Sequence, residues 1–331
     1  MNKENSFPLV SLGNEANDIM LPRGSVQAGM FALANEERFT AAYYSEPLTQ
    51  YATGWTDPEN LEALINFIAP RVPVGRRFEF KQALNSEAFL SESDDDRAIN
   101  AEFKRIEYKG VSVSSKTNNR GLIYRIDLDE EGGGILTEEL IVARIIQRLR
   151  RNQYRRAVTA LTGAVTLNTA KTWSSGTPTP NEDIRTALIA AAKDSGLFPN
   201  RLLMDAQSWA YRGAGLAGQA LTGQLGAYQQ TLDDVRAFLG IDQAMTSKAT
   251  YQTTSTAKAF ITNAKVFVFG GQDAPSRDDP TNVKRFVTPV GDGDFRVYRQ
   301  PVGAKFVDIS VEYYDNVVAT ATVGAQSLTI S

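Results

Sequence analysis

The most restrictive feature of this chain is a pair of strand-like runs followed directly by a long helical pattern, between residues 76 and 162. Each strand run has about a dozen residues, which at about 3.3 Å per residue gives roughly 40 Å. The helical pattern over 137–161 reaches a similar length at about 1.5 Å per residue. A globule of this chain length has a radius of gyration of only about 20 Å. Such a hairpin is hard to bury in its own subunit, which favours an assembly role over a catalytic pocket.

Composition narrows the available chemistry, because the 331 residues include neither histidine nor cysteine. Their absence excludes disulfides, cysteine nucleophiles, thiolate zinc sites, the Ser-His-Asp triad and nearly every common transition-metal site. An enzyme would have to use carboxylates, lysine, tyrosine or hard metals. We therefore predict no catalytic site, no metal site and no cofactor.

Charge and hydropathy point to a protein that folds in cytoplasm. The formal charge of −3, from 35 basic and 38 acidic residues, is too small to indicate that the whole molecule binds nucleic acid or a membrane. No apolar run approaches the roughly 18 residues of a bilayer span, and the polar N-terminus does not resemble a signal peptide. We expect no membrane partner.

Apolar spacing predicts the elements around the hairpin. Residues 1–56 are rich in Asn, Gly, Ser and Gln and are predicted to form an extended, partly ordered arm, and Asp57-Pro58 then marks the start of a short helix. In the first strand run the even positions are mostly apolar, which indicates one wet face. The run ends in an acidic loop over 91–96, and a phase change at Gly110 on the return predicts a bulge.

The helical pattern over 137–161 carries its own start and charge signals. Thr137 can cap it, acidic residues occupy its first turn and arginines lie toward its negative end. Its apolar positions are Leu140, Ile141, Ile145, Leu149 and Val158.

The rest of the chain is predicted to form a mixed α/β unit followed by strands. A change to Gly, Thr, Ser and Pro marks a boundary near 163–180, and Gly196 ends a helix that follows it. Thr231 and Asp234 form an acidic capping box before a helix that stops at Gly240. The Gly-rich segment 213–226 is interpreted as a surface loop, and 285–331 is strand-like.

One set of basic residues lies on a single face of the long helix, at steps of four, three and four: Arg144, Arg148, Arg151 and Arg155. This stripe can contact phosphates of nucleic acid or acidic groups on a neighbouring subunit. It can equally be the solvated face of an amphipathic helix. The second interpretation is favoured, because no aromatic residues interleave with the stripe.

Acidic clusters are the remaining candidates for a site. The run Asp94-Asp95-Asp96 lacks the spacing of a calcium loop, and a solvated turn accounts for it. Asp127, Asp129 and the two glutamates after it precede a helix N-terminus, where negative charge is favourable. The run 312–315 alternates between the two faces of a strand, so structural use is favoured there.

The ordered set of local sequences resembles the major capsid proteins of tailed bacteriophages with the Hong Kong 97-type fold. The resemblance begins at 67–74 (FIAPRVPV), continues through 94–98 (DDDRA) and 127–131 (DLDEE), and includes 199–205 (PNRLLMD) with Trp209. It ends with 264–269 and with 311–315 (VEYYD), and so covers most of 60–331. No single motif is specific, and the order of the motifs carries the likeness.

The resemblance implies an α+β Hong Kong 97-type capsid fold with an extended β-hairpin arm, a long spine helix and a mixed α/β axial domain. The implied division is an N-terminal arm (1–56), a short helix and connection (57–75), the hairpin (76–118), and a strand with the spine helix of the peripheral domain (119–164). An axial domain (165–284) and C-terminal strands (285–331) complete it. At the hairpin tip we expect five residues to contact a neighbouring subunit: Phe89, Asp94, Asp95, Asp96 and Arg97.

The function implied by the resemblance is self-assembly into pentamers and hexamers that form an icosahedral shell around double-stranded DNA. The expected partners are other copies of the chain and packaged DNA, with scaffolding, portal and decoration proteins as further candidates. The expected location is the virion, assembled in host cytoplasm. One alternative is the shell of a cellular nanocompartment with the same fold. An alternative of another class is a carboxylate-dependent hydrolase that uses Asp94, Asp96, Asp129 and Glu130.

Overall fold

A computed structural model of the chain describes residues 43–82, 99, 102, 111–131, 137–217, 230–289 and 293–331. Its helices are α1 (Glu46–Gly54), α2 (Leu61–Ile68), α3 (Leu128–Glu131), α4 (Glu138–Ala164), α5 (Pro180–Ser195), α6 (Ala206–Ala217) and α7 (Leu232–Leu239). Its first strands are β1 (Arg71–Pro73), β2 (Arg77–Gln82), β3 (Val111–Lys116), β4 (Asn118–Asp127), β5 (Leu167–Lys171), β6 (Arg201–Asp205) and β7 (Gln243–Ser247). The later strands are β8 (Thr250–Gln252), β9 (Lys258–Phe260), β10 (Lys265–Phe269), β11 (Val283–Val287), β12 (Arg296–Val302), β13 (Phe306–Ala319) and β14 (Gln326–Ile330). Within these ranges, no helix has the length and apolar content needed to cross a membrane.

The first sheet is organised around β13, the longest strand in the described ranges. Strand β13 pairs antiparallel with β4, β11 and β12, and β1 adds to β11 in parallel. Burial alternates along β13, with Val307, Ile309, Val311 and Tyr313 buried on one face. Because successive side chains of a strand point to opposite faces, this sheet has one core face and one wetter face.

Helix α4 covers the core face of the first sheet with its N-terminal half. Thr137 caps the helix by accepting a hydrogen bond from the Leu140 amide, 3.3 Å away, as the sequence predicts. The helix runs to Ala164, three residues past the predicted end. Leu140, predicted to be apolar packing, is exposed instead. The residues of α4 that pack on this sheet are Ile141, Val142, Ile145, Ile146 and Leu149.

The second sheet has the strand order β5-β14-β10-β6-β7 and forms the mixed α/β unit with α5 and α7. The capping box of Thr231 and Asp234 is present, and both predicted helix stops are confirmed: Gly196 and Gly240 adopt the left-handed conformation that glycine permits. All five residues of β6 are buried, which is typical of a strand covered on both faces.

A third cluster joins the two sheets. It combines α2 with the C-terminal half of α4, from Tyr154 to Ala164, and with residues of the second sheet such as Leu203 and Phe267. Helix α4 therefore contributes to the cores of both units, and its length is needed for that bridge. Buried residues recur along one side of α4 from Ile141 to Ala164.

The base of the hairpin is anchored on the first sheet. Strands β2 and β3 pair antiparallel from Arg77↔Lys116 to Gln82↔Val111. The phenyl rings of Phe78 and Phe286 lie 4.4 Å apart between centroids, and Phe80 stacks on Phe286 at 5.4 Å. These rings form a small core at the point where the hairpin leaves the sheet.

Two predicted boundaries near the N-terminus are wrong. Residues 46–54, predicted to be extended, form α1, whose Leu48 and Ala52 pack against α4 and the first sheet. The second helix begins at Leu61 rather than at Asp57-Pro58. The Asp57 carboxylate still accepts a hydrogen bond from the Leu61 amide at 2.8 Å, so it stabilises the helix start from one turn away. The remainder of the predicted arm, 1–42, lies outside the described residues.

One prediction for the middle of the chain is also wrong in part, the surface loop over 213–226. Near the predicted boundary at 163–180, α4 ends at Ala164, β5 of the second sheet begins at Leu167, and Trp173 is fully buried. Residues 213–217 of the predicted loop belong to α6, and the rest of that segment lies outside the described residues. Glycine is required within α6, because a Cβ on Gly215 would lie 2.7 Å from the Trp173 carbonyl oxygen.

Candidate functional site

A buried carboxylate joins the long helix to the first sheet. Asp315 of β13 is fully buried and accepts hydrogen bonds from Arg120 Nε at 3.0 Å, Gln153 Nε2 at 3.1 Å and Arg156 Nη2 at 3.2 Å. A buried charge is tolerated only when it is paired and hydrogen-bonded, and Asp315 meets both conditions. Three elements, β4, β13 and α4, are therefore fixed relative to one another at this carboxylate.

Tyrosine completes this polar cluster. Arg156 Nη2 donates to the Tyr313 hydroxyl at 2.7 Å. Burial by itself lowers the pKa of Arg156, but Asp315 and Tyr313 outweigh burial and the net shift is upward. Burial, followed by the charge of Asp315, raises the pKa of Tyr313. Both side chains therefore keep their protons over the ordinary pH range, and Arg156 remains a cation.

A second polar cluster ties α2 to the sheet through buried arginines. The fully buried Arg285 of β11 donates from Nη2 to the Asn66 amide oxygen at 3.1 Å, and its Nη1 lies 3.7 Å from Asp294. Arg71 also pairs with Asp294, at 2.9 Å. Burial lowers the pKa of Arg285. The Nε and Nη1 atoms of Arg285 make no hydrogen bond within the described residues.

Arg150 of α4 links this second cluster to the helix. Its Nη2 donates to Glu62 of α2 at 2.9 Å and its Nη1 donates to Gln153 at 3.2 Å. The guanidinium also lies 4.8 Å from the centroid of the Phe295 ring. Arg150 and Gln153 follow the same spacing as the buried apolar residues of α4. That spacing is the sequence signal that they are core residues. The charge pattern of the sequence places Arg150 only near the negative end of the helix and does not predict its burial.

The predicted arginine stripe divides into two parts. Arg151 pairs with Glu59, and the Arg155 guanidinium lies over the Tyr251 ring, 4.5 Å from its centroid. Arg144 and Arg148 are exposed and have no ion-pair partner in the part of the chain that the structure describes. The half of the stripe nearer the helix N-terminus is therefore the half available to an outside partner.

The hairpin tip predicted to contact a neighbour lies outside the described residues: Phe89, Asp94, Asp95, Asp96 and Arg97. Its base is described, and the paired residues Gln82 and Val111 mark where the segment 83–110 leaves and re-enters. The predicted phase change at Gly110 falls on a residue outside these ranges as well.

The acidic clusters have structural roles where they are described. The Asp127 carboxylate accepts from the Asp129 amide at 3.1 Å, and Asp129 pairs with Lys305 at 3.2 Å on an exposed surface. As predicted, 312–315 alternates between faces, with Tyr313 and Asp315 buried. Across the described ranges, no group of three or more carboxylates is placed to hold a metal ion.

Comparisons with known proteins give a result only at the level of three-dimensional structure. No family model matches the chain, and no curated protein matches it. A phage-related protein from Bordetella bronchiseptica RB50 superposes with a TM-score of 0.62 at 15% identity, covering 86% of this chain and 96% of that one. A capsid structure of the cyanophage P-SCSP1u superposes with a TM-score of 0.50 at 12% identity, covering 80% of this chain and 86% of that one.

The chain has the Hong Kong 97-type capsid fold. A structure from Microbacterium phage Oxtober96 is similar to the same extent, with a TM-score of 0.50 at 11% identity over 84% of this chain and 92% of that one. The predicted α+β class and fold are confirmed. At these identities the likeness establishes the fold alone, and α4 is the spine helix of that fold.

Proposed function

We propose that this protein is the major capsid protein of a tailed bacteriophage, which assembles as pentamers and hexamers into an icosahedral shell around double-stranded DNA. The observation that supports this most directly is the fold itself, in which the 27-residue spine helix joins two core units and a hairpin leaves the first of them. A long helix shared by two cores, and a hairpin that leaves the sheet, suit a subunit that contacts its neighbours through an arm.

The polar clusters around α4 fix the spine helix relative to the sheet. Asp315 and Arg150 connect the spine helix to β4, β13 and α2 through charged hydrogen bonds at 2.9–3.2 Å. Such contacts are directional and short-range, so they resist sliding of the helix over the sheet more than apolar packing alone does.

The hairpin is the second feature that supports the proposal. Because segment 83–110 leaves and re-enters at one point, an extended hairpin of that length would project roughly 45 Å from its base at about 3.3 Å per residue. By the family likeness it lies over a neighbouring subunit, with Phe89, Asp94, Asp95, Asp96 and Arg97 among its contacts. The exposed Arg144 and Arg148 are proposed to face DNA or a neighbour.

The proposed role needs no catalytic residue, cofactor or metal. The protein functions in the virion and assembles in host cytoplasm, with scaffolding, portal and decoration proteins as candidate partners. A hydrolase would need two carboxylates that converge on a cleft, whereas Asp129 is exposed and paired with Lys305.

Electron microscopy of the purified full-length chain tests the proposal. Closed shells, tubes or ring-shaped capsomers are expected at high protein concentration. Persistent monomers under all conditions of salt, pH and concentration would refute the proposed function. Nucleic acid extracted from shells isolated from infected cells would indicate a genome container, whereas enclosed enzymes found by mass spectrometry would indicate a nanocompartment.

Deletion of 85–100 tests the role of the hairpin. Loop tips tolerate shortening, so a folded body with a normal melting curve is expected, together with loss of shells. The control deletes the exposed residues 254–256 from the turn between β8 and β9, which leaves a two-residue turn and should leave assembly unchanged. Normal shells from the 85–100 deletion would count against the role assigned to the arm.

A further inference from the structure

Two cations face each other at the base of the hairpin. Arg77 of β2 and Lys116 of β3 are direct partners in the antiparallel ladder, so their side chains lie on the same face. Both are exposed, and neither has an ion-pair partner in the described part of the chain. Like charges directly opposite each other destabilise an antiparallel pair. An anion bound between them would remove that cost.

A third cation completes a basic cleft, which we define by Arg77, Lys116 and Arg277. The cleft has a volume of about 1010 Å³ and is also lined by polar side chains, among them Ser115 and Asn316. Arg277 is more than half exposed, and its nearest carboxylate, Asp278, is 3.8 Å away. Three cationic side chains thus converge on one open groove.

Hydrogen bonds from Lys284 and from the Lys81 backbone hold the loop that carries Arg277 in place. The fully buried Lys284 ammonium donates to the carbonyl oxygens of Arg277 at 3.1 Å and Asp279 at 2.7 Å. Asp278 accepts from the Lys81 backbone amide at 2.8 Å, which ties the loop to β2. The third side of the basic cleft is therefore formed before any partner arrives, and binding there costs little ordering of the backbone.

The two carboxylates near the basic cleft are already engaged. Glu79 accepts a hydrogen bond from the Ser114 hydroxyl at 2.9 Å, and Asp278 holds the Lys81 amide. Both carboxylates keep their negative charge, but the three cations Arg77, Lys116 and Arg277 outnumber them, so the cleft has a net positive charge. An incoming acidic group would therefore be attracted to the cleft.

The chain itself contains a segment of complementary charge. The pairing of Gln82 with Val111 means that 83–110 starts and ends at the same place, and the middle of that segment in sequence is Asp96 and Arg97. Its acidic residues cluster there, as Glu92, Asp94, Asp95 and Asp96. With an arm of roughly 45 Å, the tip of an extended hairpin would lie far from the base of its own chain.

We propose that the basic cleft binds the acidic segment 92–96 of a second copy of this chain. This inference rests on the proposed shell-forming function and identifies the docking site that one subunit offers to its neighbour. A nucleic-acid strand is the competing occupant. It carries one phosphate about every 3.4 Å along each strand, so the shell yield and the amount of enclosed DNA are measured separately to tell the two occupants apart.

Disulfide trapping tests this contact directly, because the native chain has no cysteine. The double variant Lys116→Cys with Asp95→Cys should give disulfide-linked multimers when the assembled full-length protein is oxidised. The control pairs Asp95→Cys with Ser255→Cys, on the exposed β8–β9 turn, and should remain monomeric on a denaturing gel. Equal multimer yield in both variants, or a crosslink within single chains, would overturn the proposal.

Charge exchange gives an independent measurement. Arg77→Glu with Lys116→Glu keeps a like-charged pair across the ladder, so folding should be retained, and the shell yield should fall at least tenfold. Adding Asp94→Lys, Asp95→Lys and Asp96→Lys to the same chain should restore it. Loss of enclosed DNA with an unchanged shell yield would assign the cleft to phosphates and refute the inference. Failure of the variant with all five substitutions to recover the shell yield would also refute it.

The two proposals fail in distinguishable ways. A wild-type chain that never assembles refutes the shell-forming function. A wild-type chain that assembles, together with a cleft-reversed chain that assembles equally well, refutes only the docking site.

Discussion

Two groups of arginines on the same helix have opposite surroundings. Arg150 and Arg156 of the spine helix are directed into the molecule, where Glu62 and Asp315 pair with them at 2.9 and 3.2 Å. Arg144 and Arg148 are exposed and have no ion-pair partner in the part of the chain that is described. The first pair joins helices and strands into one rigid unit, and the second pair is free to meet another molecule. Identical side chains on one helix thus serve cohesion or contact according to what lies opposite them.

The largest change in the free energy of unfolding is expected from removing the buried Asp315 carboxylate. Asp315→Ala leaves Arg120 and Arg156 without their anion, and loss of one partner from a buried ion pair costs about 3–5 kcal/mol. Urea denaturation of the full-length protein measures this change.

The matched control for that variant is Asp308→Ala on the opposite face of the same strand. Asp308 forms a two-pronged pair with the exposed Arg125, at 2.7 and 2.8 Å. An exposed pair contributes about 0.2–1 kcal/mol, so the control should be far milder. Equal destabilisation by the two variants would contradict the contrast between the faces.

A smaller loss is expected from Arg150→Ala. This change removes the hydrogen bonds to Glu62 and Gln153 and the contact with the Phe295 ring. Hydrogen bonds to charged groups contribute about 1.5–3 kcal/mol, and we expect a loss in that range. The neighbouring Arg151→Ala, which removes only the half-exposed pair with Glu59, should cost less than about 1 kcal/mol in the same urea titration.

Alkaline pH gives a titration of the wetter face of the first sheet. Burial, and the hydrogen bond that the Tyr298 hydroxyl donates to Glu312 at 2.6 Å, raise the pKa of Tyr298 to about 12. An unfolded tyrosine ionises near a pKa of about 10, so stability is complete below pH 10 and falls between pH 10 and 12 as the unfolded state loses its proton first.

The variant Tyr298→Phe isolates that contribution. Thermal unfolding between pH 9 and 12 should show a shallower loss of stability than in the wild type, although other raised tyrosines, such as Tyr313, continue to contribute. Parallel curves for the two proteins would show that the contact with Glu312 does not hold the Tyr298 proton.

The smallest stability change is expected on the exposed arginine pair. The double variant Arg144→Ala with Arg148→Ala should alter the free energy of unfolding by no more than about 0.5 kcal/mol, because surface substitutions without partners rarely do more. Arg185→Ala, which removes an exposed arginine of α5 and its 3.7 Å pair with Glu182, is the control. A drop in shell yield or in retained DNA in the double variant, absent from the control, would assign these residues to an outside partner.

Local signals explain what could be predicted. The spine helix combines a capping threonine, acidic residues in its first turn and a sustained 3.6-residue period, all of which act within the helix. The Thr231–Asp234 box and the glycine stops are equally local. Helix α1 was not predicted because tertiary contacts stabilise it, including the hydrogen bond from the Val297 amide to the Thr49 hydroxyl at 3.1 Å. The need for glycine at position 215 was not predicted, because the contact that requires it is with Trp173, which is distant in the sequence.

The sequence by itself determined the order of hairpin and spine helix, the turn and cap positions, and the absence of imidazole and thiol chemistry. These properties depend on composition and on spacing along a few turns of backbone. Only the tertiary structure decided that Arg150, Arg156 and Asp315 are core residues, and that Arg77, Lys116 and Arg277 converge on one cleft. Burial and charge pairing depend on residues up to two hundred positions apart, such as Arg120 and Asp315, which spacing along the chain does not bring together.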